Sequence, residues 1–277
     1  MLEQVIAFYD RHPINEAEVL GKLRSAGKRL DALQPQDLLA FDQDHYGGLE
    51  ATDALVRALG LTAGEQVLDV CAGMGGTSRY LAWKYGCTVT GVELTASRAR
   101  GAGALTGRVG LTDKVRIVQG DATALPPVAL AGQQFDAAVS QEAFLHIVDK
   151  EALLSGCQRM LRPGGRLGFT DLLATERLTA LDRERLRDAI QAHSLIPATD
   201  YLAHLERAGF REVRWEDLGP WWGRILRERL EMYRSLADET VKRFGQAHHD
   251  RYIAGYTNFV EAIEAGRLGG GRFIAVK

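Results

Sequence analysis

Cysteine is scarce in this chain. Its 277 residues include three, Cys71, Cys87 and Cys157, odd in number, widely spaced and without a CxxC pair. That pattern excludes a disulfide framework and a cysteine-based zinc site, and a reducing compartment is the expectation. An excess of either charge is also missing. Against 34 Lys plus Arg stand 36 Asp plus Glu, a net charge of −2, so no uniform positive field exists to hold nucleic acid or an anionic membrane. Long hydrophobic runs are lacking too: no window reaches the roughly 18 uncharged apolar residues of a membrane span. The opening MLEQVIAFYDRHPINEAEVL has no basic start followed by an apolar stretch, so a cytoplasmic protein is expected. There is no internal repeat and no low-complexity tract.

What is present is enough apolar side chain, 46% of residues, to bury a substantial core. Residues 1–60 read as helical and irregular, with Leu49, Leu55, Ala58 and Leu59 on one stripe before Gly60 ends the segment. From residue 66 short apolar runs alternate with helical segments. QVLDV, CTVTGV, KVRIVQ, FDAAVS and GRLGFTDLL are strand candidates, with helices expected from Gly75, from Thr95 and over 142–160. Strands apolar on both faces and separated by helices predict a parallel sheet covered on both sides, an α/β fold. Residues 176–208 and 222–265 read as helices around the strand candidate FREVRWEDL, and GRFIAVK as a closing strand. One domain spanning 1–277 is expected: an N-terminal helical lid (1–60), a cofactor-binding core (61–175), and substrate-cap helices with the final strands (176–277).

The turn VLDVCAGMGG carries the first chemical signal. Gly73, Gly75 and Gly76 let a ligand approach the backbone and lead into a helix whose first N–H groups are free. A dinucleotide fingerprint would need Gly or Ala at 78, where Ser78 stands. Asp69, one step before the turn, would repel a pyrophosphate but suits a cofactor bearing an ammonium group. Glu93 ends the second strand about 20 residues on, where a carboxylate can accept ribose hydroxyls, and Asp121 ends the third strand at a position suited to an adenine amino group.

Together these residues resemble the class I S-adenosylmethionine-dependent methyltransferases over roughly residues 60–175. The resemblance implies a Rossmann-like seven-stranded sheet in the order 3-2-1-4-5-7-6, S-adenosyl-L-methionine as cofactor, and a small-molecule methyl acceptor. SQEAFLHI (140–147) is similar to the matching stretch of the phosphoethanolamine and the glycine, sarcosine and dimethylglycine N-methyltransferases. FDQDHYGGLEATDAL (41–55) resembles the entry to the cofactor site of the phosphoethanolamine enzymes. His45, Tyr46, Asp69, Cys71, Gly73, Gly75, Glu93, Leu94, Asp121, Ala122 and Gln141 are the cofactor-side candidates; His146, Glu142 and Tyr46 are the catalytic ones. Glu142 and His146, four apart, are expected on one helical face, with His146 as base or orienting group because its ordinary pKa is near neutrality.

The chain departs from the phosphobase pattern where that family collects tyrosines and an arginine, having Leu172, Arg187, Gln191 and His193 instead. This disfavours a phosphorylated amine. Trp221 and Trp222, with Tyr9, Tyr46 and Tyr201, could wall a pocket or hold a methylated ammonium. Nitrogen is the preferred nucleophile. A C- or O-methyltransferase using Glu142 as base and a non-catalytic S-adenosylmethionine-binding module are the alternatives. A homodimer is open as well, since the N-terminal helices can cover their own site or a neighbour's.

Overall fold

A computed structural model describes residues 2–125 and 128–277, the side chain of Arg243 excepted. Four helices come first: α1 (Leu2–Asp10), α2 (Glu16–Ser25), α3 (Pro35–Leu38) and α4 (Gly48–Leu59). The α/β core follows as β1 (Gln66–Val70), α5 (Gly76–Tyr85), β2 (Thr88–Glu93), α6 (Ala96–Arg108), β3 (Val115–Gln119), β4 (Phe135–Gln141), α7 (Lys150–Met160) and β5 (Leu161–Ala174). The remainder is α8 (Ala180–Ile190), α9 (Ala198–Arg207), β6 (Arg211–Asp217), α10 (Gly219–Ser235), α11 (Ala237–Phe244), α12 (Gln246–Glu264) and β7 (Leu268–Val276).

The seven strands form one sheet in the order β3-β2-β1-β4-β5-β7-β6. β7 runs antiparallel to both its neighbours and the other ladders are parallel. The strand order is the one the resemblance implies. β1 and β2 are buried almost throughout, which is why their sequences read as continuous apolar runs. The order reverses at β1/β4, so the carboxyl ends of these strands open the crevice where such sheets bind ligands.

Two expected details differ. The buried stripe of α4 is Ala51, Thr52, Leu55, Val56 and Leu59, one step around the helix from the Leu49 and Ala58 reading. The continuous helix over 142–160 is broken. Glu142 adopts a left-handed backbone (φ 46°), Phe144–His146 make one 3₁₀ turn, and α7 starts only at Lys150, where the Asp149 side chain accepts from Ala152 N–H at 2.8 Å. A side-chain cap on a backbone N–H and a positive-φ residue each interrupt an α-helix through this stretch.

The C-terminal helices dock on β7 through an apolar cluster that includes Leu172, Trp222, Leu226, Leu230, Phe259 and Leu268. The Trp222 ring packs against Gly270, where a Cβ would come within 2.2 Å of it. Glycine at 270 is therefore what admits the indole.

Candidate active site

The crevice is a cavity of about 490 Å³ bounded by the ends of β1, β2, β3 and β4, by α1, and by the loop before α4. Nine of the eleven cofactor-side candidates line it, namely His45, Asp69, Cys71, Gly73, Glu93, Leu94, Asp121, Ala122 and Gln141; Gly75 does not, facing Arg79 and Ala102 beneath the turn, although its neighbour Gly76 does. Gly76 must be glycine. An added Cβ would lie 2.3 Å from the Asp42 carbonyl oxygen, so the loop before α4 rests directly on the start of α5. The buried Arg79–Asp42 pair (2.7 Å) pins the same loop from below.

Cys71 holds the turn in a left-handed conformation (φ 63°) that glycine would adopt without cost. Burial and the neighbouring carboxylates, Glu93 first, push its thiol pKa well up. A protonated thiol is a poor nucleophile, so Cys71 is a wall residue.

The three strand-end carboxylates differ in what they have left to offer. Asp69 accepts the Ser78 hydroxyl at 2.6 Å, and burial raises its pKa to about 6. Glu93 receives Gly73 N–H on one oxygen and Thr95 N–H on the other, both at 2.9 Å, which fixes the carboxylate plane and leaves one lone-pair direction per oxygen. Asp121 lies two residues past the end of β3. Its Oδ1 takes Thr123 N–H and Oγ1, both at 2.8 Å. Gln141 accepts from Thr52 Oγ1 (3.1 Å) and Thr77 Oγ1 (3.0 Å), and its amide meets His45 Nδ1 at 3.2 Å. Burial holds His45 neutral, its pKa lowered to about 4.

Across the cavity, His146 sits between two fixed partners. Its Nδ1 is 2.9 Å from the Gln191 carbonyl oxygen and its Nε2 is 2.7 Å from the Tyr9 hydroxyl. A carbonyl can only accept, so the proton is on Nδ1 and Tyr9 donates to the bare Nε2. Burial lowers the His146 pKa to about 4, which keeps the ring in this neutral form. Tyr9 is 137 residues away in sequence, and the sequence alone marks it only as a possible pocket aromatic. The guanidinium of Arg98 stacks 4.8 Å from its ring centroid while donating to Asp44 Oδ2 at 2.5 Å and to the Ile14 carbonyl at 3.2 Å.

Glu142 lines the cavity too, but not on a shared helical face with His146. Its carboxylate takes Tyr46 N–H at 2.5 Å and the Thr170 hydroxyl at 2.6 Å, and burial raises its pKa to about 7. The side chain of Tyr46 goes elsewhere. Its ring packs on Trp222 (5.4 Å) and Phe259 (6.0 Å), inside the cap cluster and away from the cavity lining. Trp221, Trp222 and Tyr201 are likewise absent from the lining, leaving Tyr9 as the member of the expected aromatic set that faces the cavity.

Two buried groups beneath the 142–149 turn were not legible in the sequence. Lys150 donates to the carbonyls of Phe144 (2.7 Å), Ile147 (2.5 Å) and Ser194 (3.2 Å), with burial lowering its pKa to about 8. Asp171 accepts Leu145 N–H at 3.2 Å and the Tyr201 hydroxyl at 2.5 Å. Together they clamp the turn that carries His146.

A mixed sheet in this order, with acidic side chains at successive strand ends around a glycine turn, defines the class I methyltransferase fold. Residues 68–169 match the family described as a methyltransferase domain. The chain is 30% identical over 210 residues to the glycine/sarcosine/dimethylglycine N-methyltransferase of Actinopolyspora halophila, covering 74% of this chain and 36% of that protein. It is 28% identical over 236 residues to phosphoethanolamine N-methyltransferase 1 of Zea mays, covering 83% and 45%. The chain thus spans less than half the length of these two relatives. Among solved structures, phosphoethanolamine N-methyltransferase 2 of Haemonchus contortus, in complex with phosphomonomethylethanolamine and S-adenosylhomocysteine, superposes with a TM-score of 0.76 at 22% identity over 98% of this chain and 60% of that one.

Proposed function

We propose that the protein transfers a methyl group from S-adenosyl-L-methionine to the nitrogen of a small-molecule amine. The donor set fits this cofactor: an acidic, partly desolvated crevice suits a ligand carrying an ammonium, a sulfonium and hydroxyl donors, and would repel a pyrophosphate. Asp69 would face the ammonium, Glu93 the ribose and Asp121 the purine. When bound, the cofactor supplies a methyl group on a cationic sulfur, which an uncharged nitrogen can displace.

The protein's own part is to free that lone pair and exclude water. An amine arrives largely protonated. The observation that carries the reading is the Tyr9–His146 pair, with a bare imidazole nitrogen fixed on a phenol that lines the cavity. A proton leaving the acceptor nitrogen passes to the Tyr9 oxygen while the Tyr9 proton moves to His146 Nε2, and the Nδ1–H bond to Gln191 stays in place. α1 covers the cavity through Leu2, Val5 and Tyr9, so closure and assembly of the relay are one event.

The test is incubation with methyl-labelled S-adenosylmethionine and a panel of amines, phenols and prenyl compounds, beside calorimetry with the donor alone. Label on an amine nitrogen supports the reading. Donor binding without transfer to any amine overturns it.

A further inference from the structure

The relatives named above act, by their names, on amines that carry a carboxylate or a phosphate, and the present cavity is built differently. Its lining contains seven carboxylates, from Asp42 to Asp149. Among the described residues lining it, Arg98 supplies the one guanidinium and no lysine contributes. Arg98 is committed: one nitrogen is on Asp44, another on the Ile14 carbonyl, and its face is on the Tyr9 ring. Lys150 lies close by in sequence, but its ammonium donates to three backbone carbonyls beneath the turn. Arg187 is exposed on α8 and outside the lining.

The lid side of the cavity is correspondingly apolar. Leu2 and Val5 of α1 and Ile147 and Val148 of the turn all line it, and Leu2 and Val148 are about half exposed, at 48% and 53%, at its edge toward solvent. The polar groups beside them in the lining are Tyr9, His146, Glu142 and Asp149. A phosphate or carboxylate brought here would be desolvated beside the Glu142 carboxylate with no cation to pair with, which is the least favourable way to bury an anion. An apolar substituent loses nothing of the kind and gains burial against the four aliphatic side chains. A nitrogen that becomes positive on methylation is favoured by the same carboxylate.

We infer that the acceptor is an amine with an apolar body and no phosphate or carboxylate, its hydrocarbon lying between Leu2, Val5 and Val148 and its nitrogen toward Tyr9 and Glu142. This rests on nitrogen methylation as proposed above and names the acceptor class for it.

Two matched pairs test it on the full chain. N-methylbenzylamine and sarcosine are both N-methyl amines that differ in a phenyl or a carboxylate; 2-phenylethylamine and phosphoethanolamine differ in a phenyl or a phosphate. With saturating S-adenosylmethionine, kcat/KM for the apolar member of each pair is expected to exceed that of the anionic member by at least about 100-fold. Dissociation constants for the S-adenosylhomocysteine complex, measured by calorimetry, should rank the same way. Val148→Arg, which puts a cation at the opening, should raise kcat/KM for sarcosine about tenfold relative to N-methylbenzylamine. Equal or better use of the anionic members overturns the inference and leaves nitrogen methylation standing, as does failure of both apolar amines to bind. Tight binding of the apolar amines with no methyl transfer overturns nitrogen methylation and leaves the apolar compartment.

Discussion

The backbone N–H of Tyr46 donates to the Glu142 carboxylate at 2.5 Å, across 96 residues of sequence, while the Tyr46 ring turns into the cap against Trp222 and Phe259. One residue therefore ties the cavity wall to the cap by its main chain on one side and its side chain on the other. The bond also leaves Glu142 with a fixed orientation, its other oxygen on Thr170.

Replacing Glu142 by Gln keeps that geometry and removes the charge. The folded-state pKa is raised from 4.5 to about 7, so the group's contribution to stability is complete below its unfolded pKa and is lost as pH rises through about 7. Glu142→Gln and wild type should unfold at similar temperatures at pH 4. At pH 8.5 the variant should be the more stable by about 1–2 kcal/mol, discounted because the side chain opens on the cavity. Thermal unfolding at the two pH values checks this, and an equal or lower stability of the variant at pH 8.5 contradicts it.

Tyr46 itself separates into its two roles. Tyr46→Phe keeps both the N–H and the ring packing, so its activity should stay within about threefold of wild type. Tyr46→Ala removes the ring from the cap cluster and should cost about 3–4 kcal/mol of stability. A large loss of kcat in Tyr46→Phe, without loss of stability, would restore a chemical role for the phenol.

How far the sequence disclosed this site follows from the range of each interaction. Asp69, Glu93 and the glycine turn are legible because a parallel strand announces itself as an apolar run, and its end is where a polar residue becomes conspicuous. The break after Glu142 is hidden, since the apolar spacing of AFLHIV fits one more helical turn and the positive φ of a glutamate leaves no compositional mark. Tyr9 is hidden for another reason. Its partner lies 137 residues away, and LEQVIAFYD alone reads as an ordinary amphipathic helix. Lys150 reads as a surface charge after Asp149, and only the fold reveals three carbonyls converging on its ammonium.

The Tyr9–His146 pair should behave as a unit. Tyr9→Phe removes the donor to Nε2, and His146→Asn removes the acceptor; each is expected to lower kcat about 100-fold with a smaller change in donor affinity. The double variant should be little worse than either single one, because each breaks the same relay. Multiplicative losses in the double variant would mean that the two side chains act independently.

Donor affinity should report the state of Asp69. Burial raises its pKa to about 6 in the free protein, and a bound ammonium favours the ionised form. Binding therefore competes with protonation: affinity for S-adenosylhomocysteine, which keeps the ammonium, should be level above about pH 7 and fall toward tenfold per pH unit well below 6. In Asp69→Asn, which keeps an acceptor for the Ser78 hydroxyl, the affinity should be lower at pH 8 by roughly 10- to 100-fold, and its dependence between pH 5 and 7 should flatten. Glu93 and Asp121 remain in both proteins, so the difference between the two pH profiles isolates the strand-end carboxylate. Calorimetric titrations at pH 5, 6, 7 and 8 supply those profiles, and parallel curves for the two proteins would remove Asp69 from contact with the cationic end of the donor.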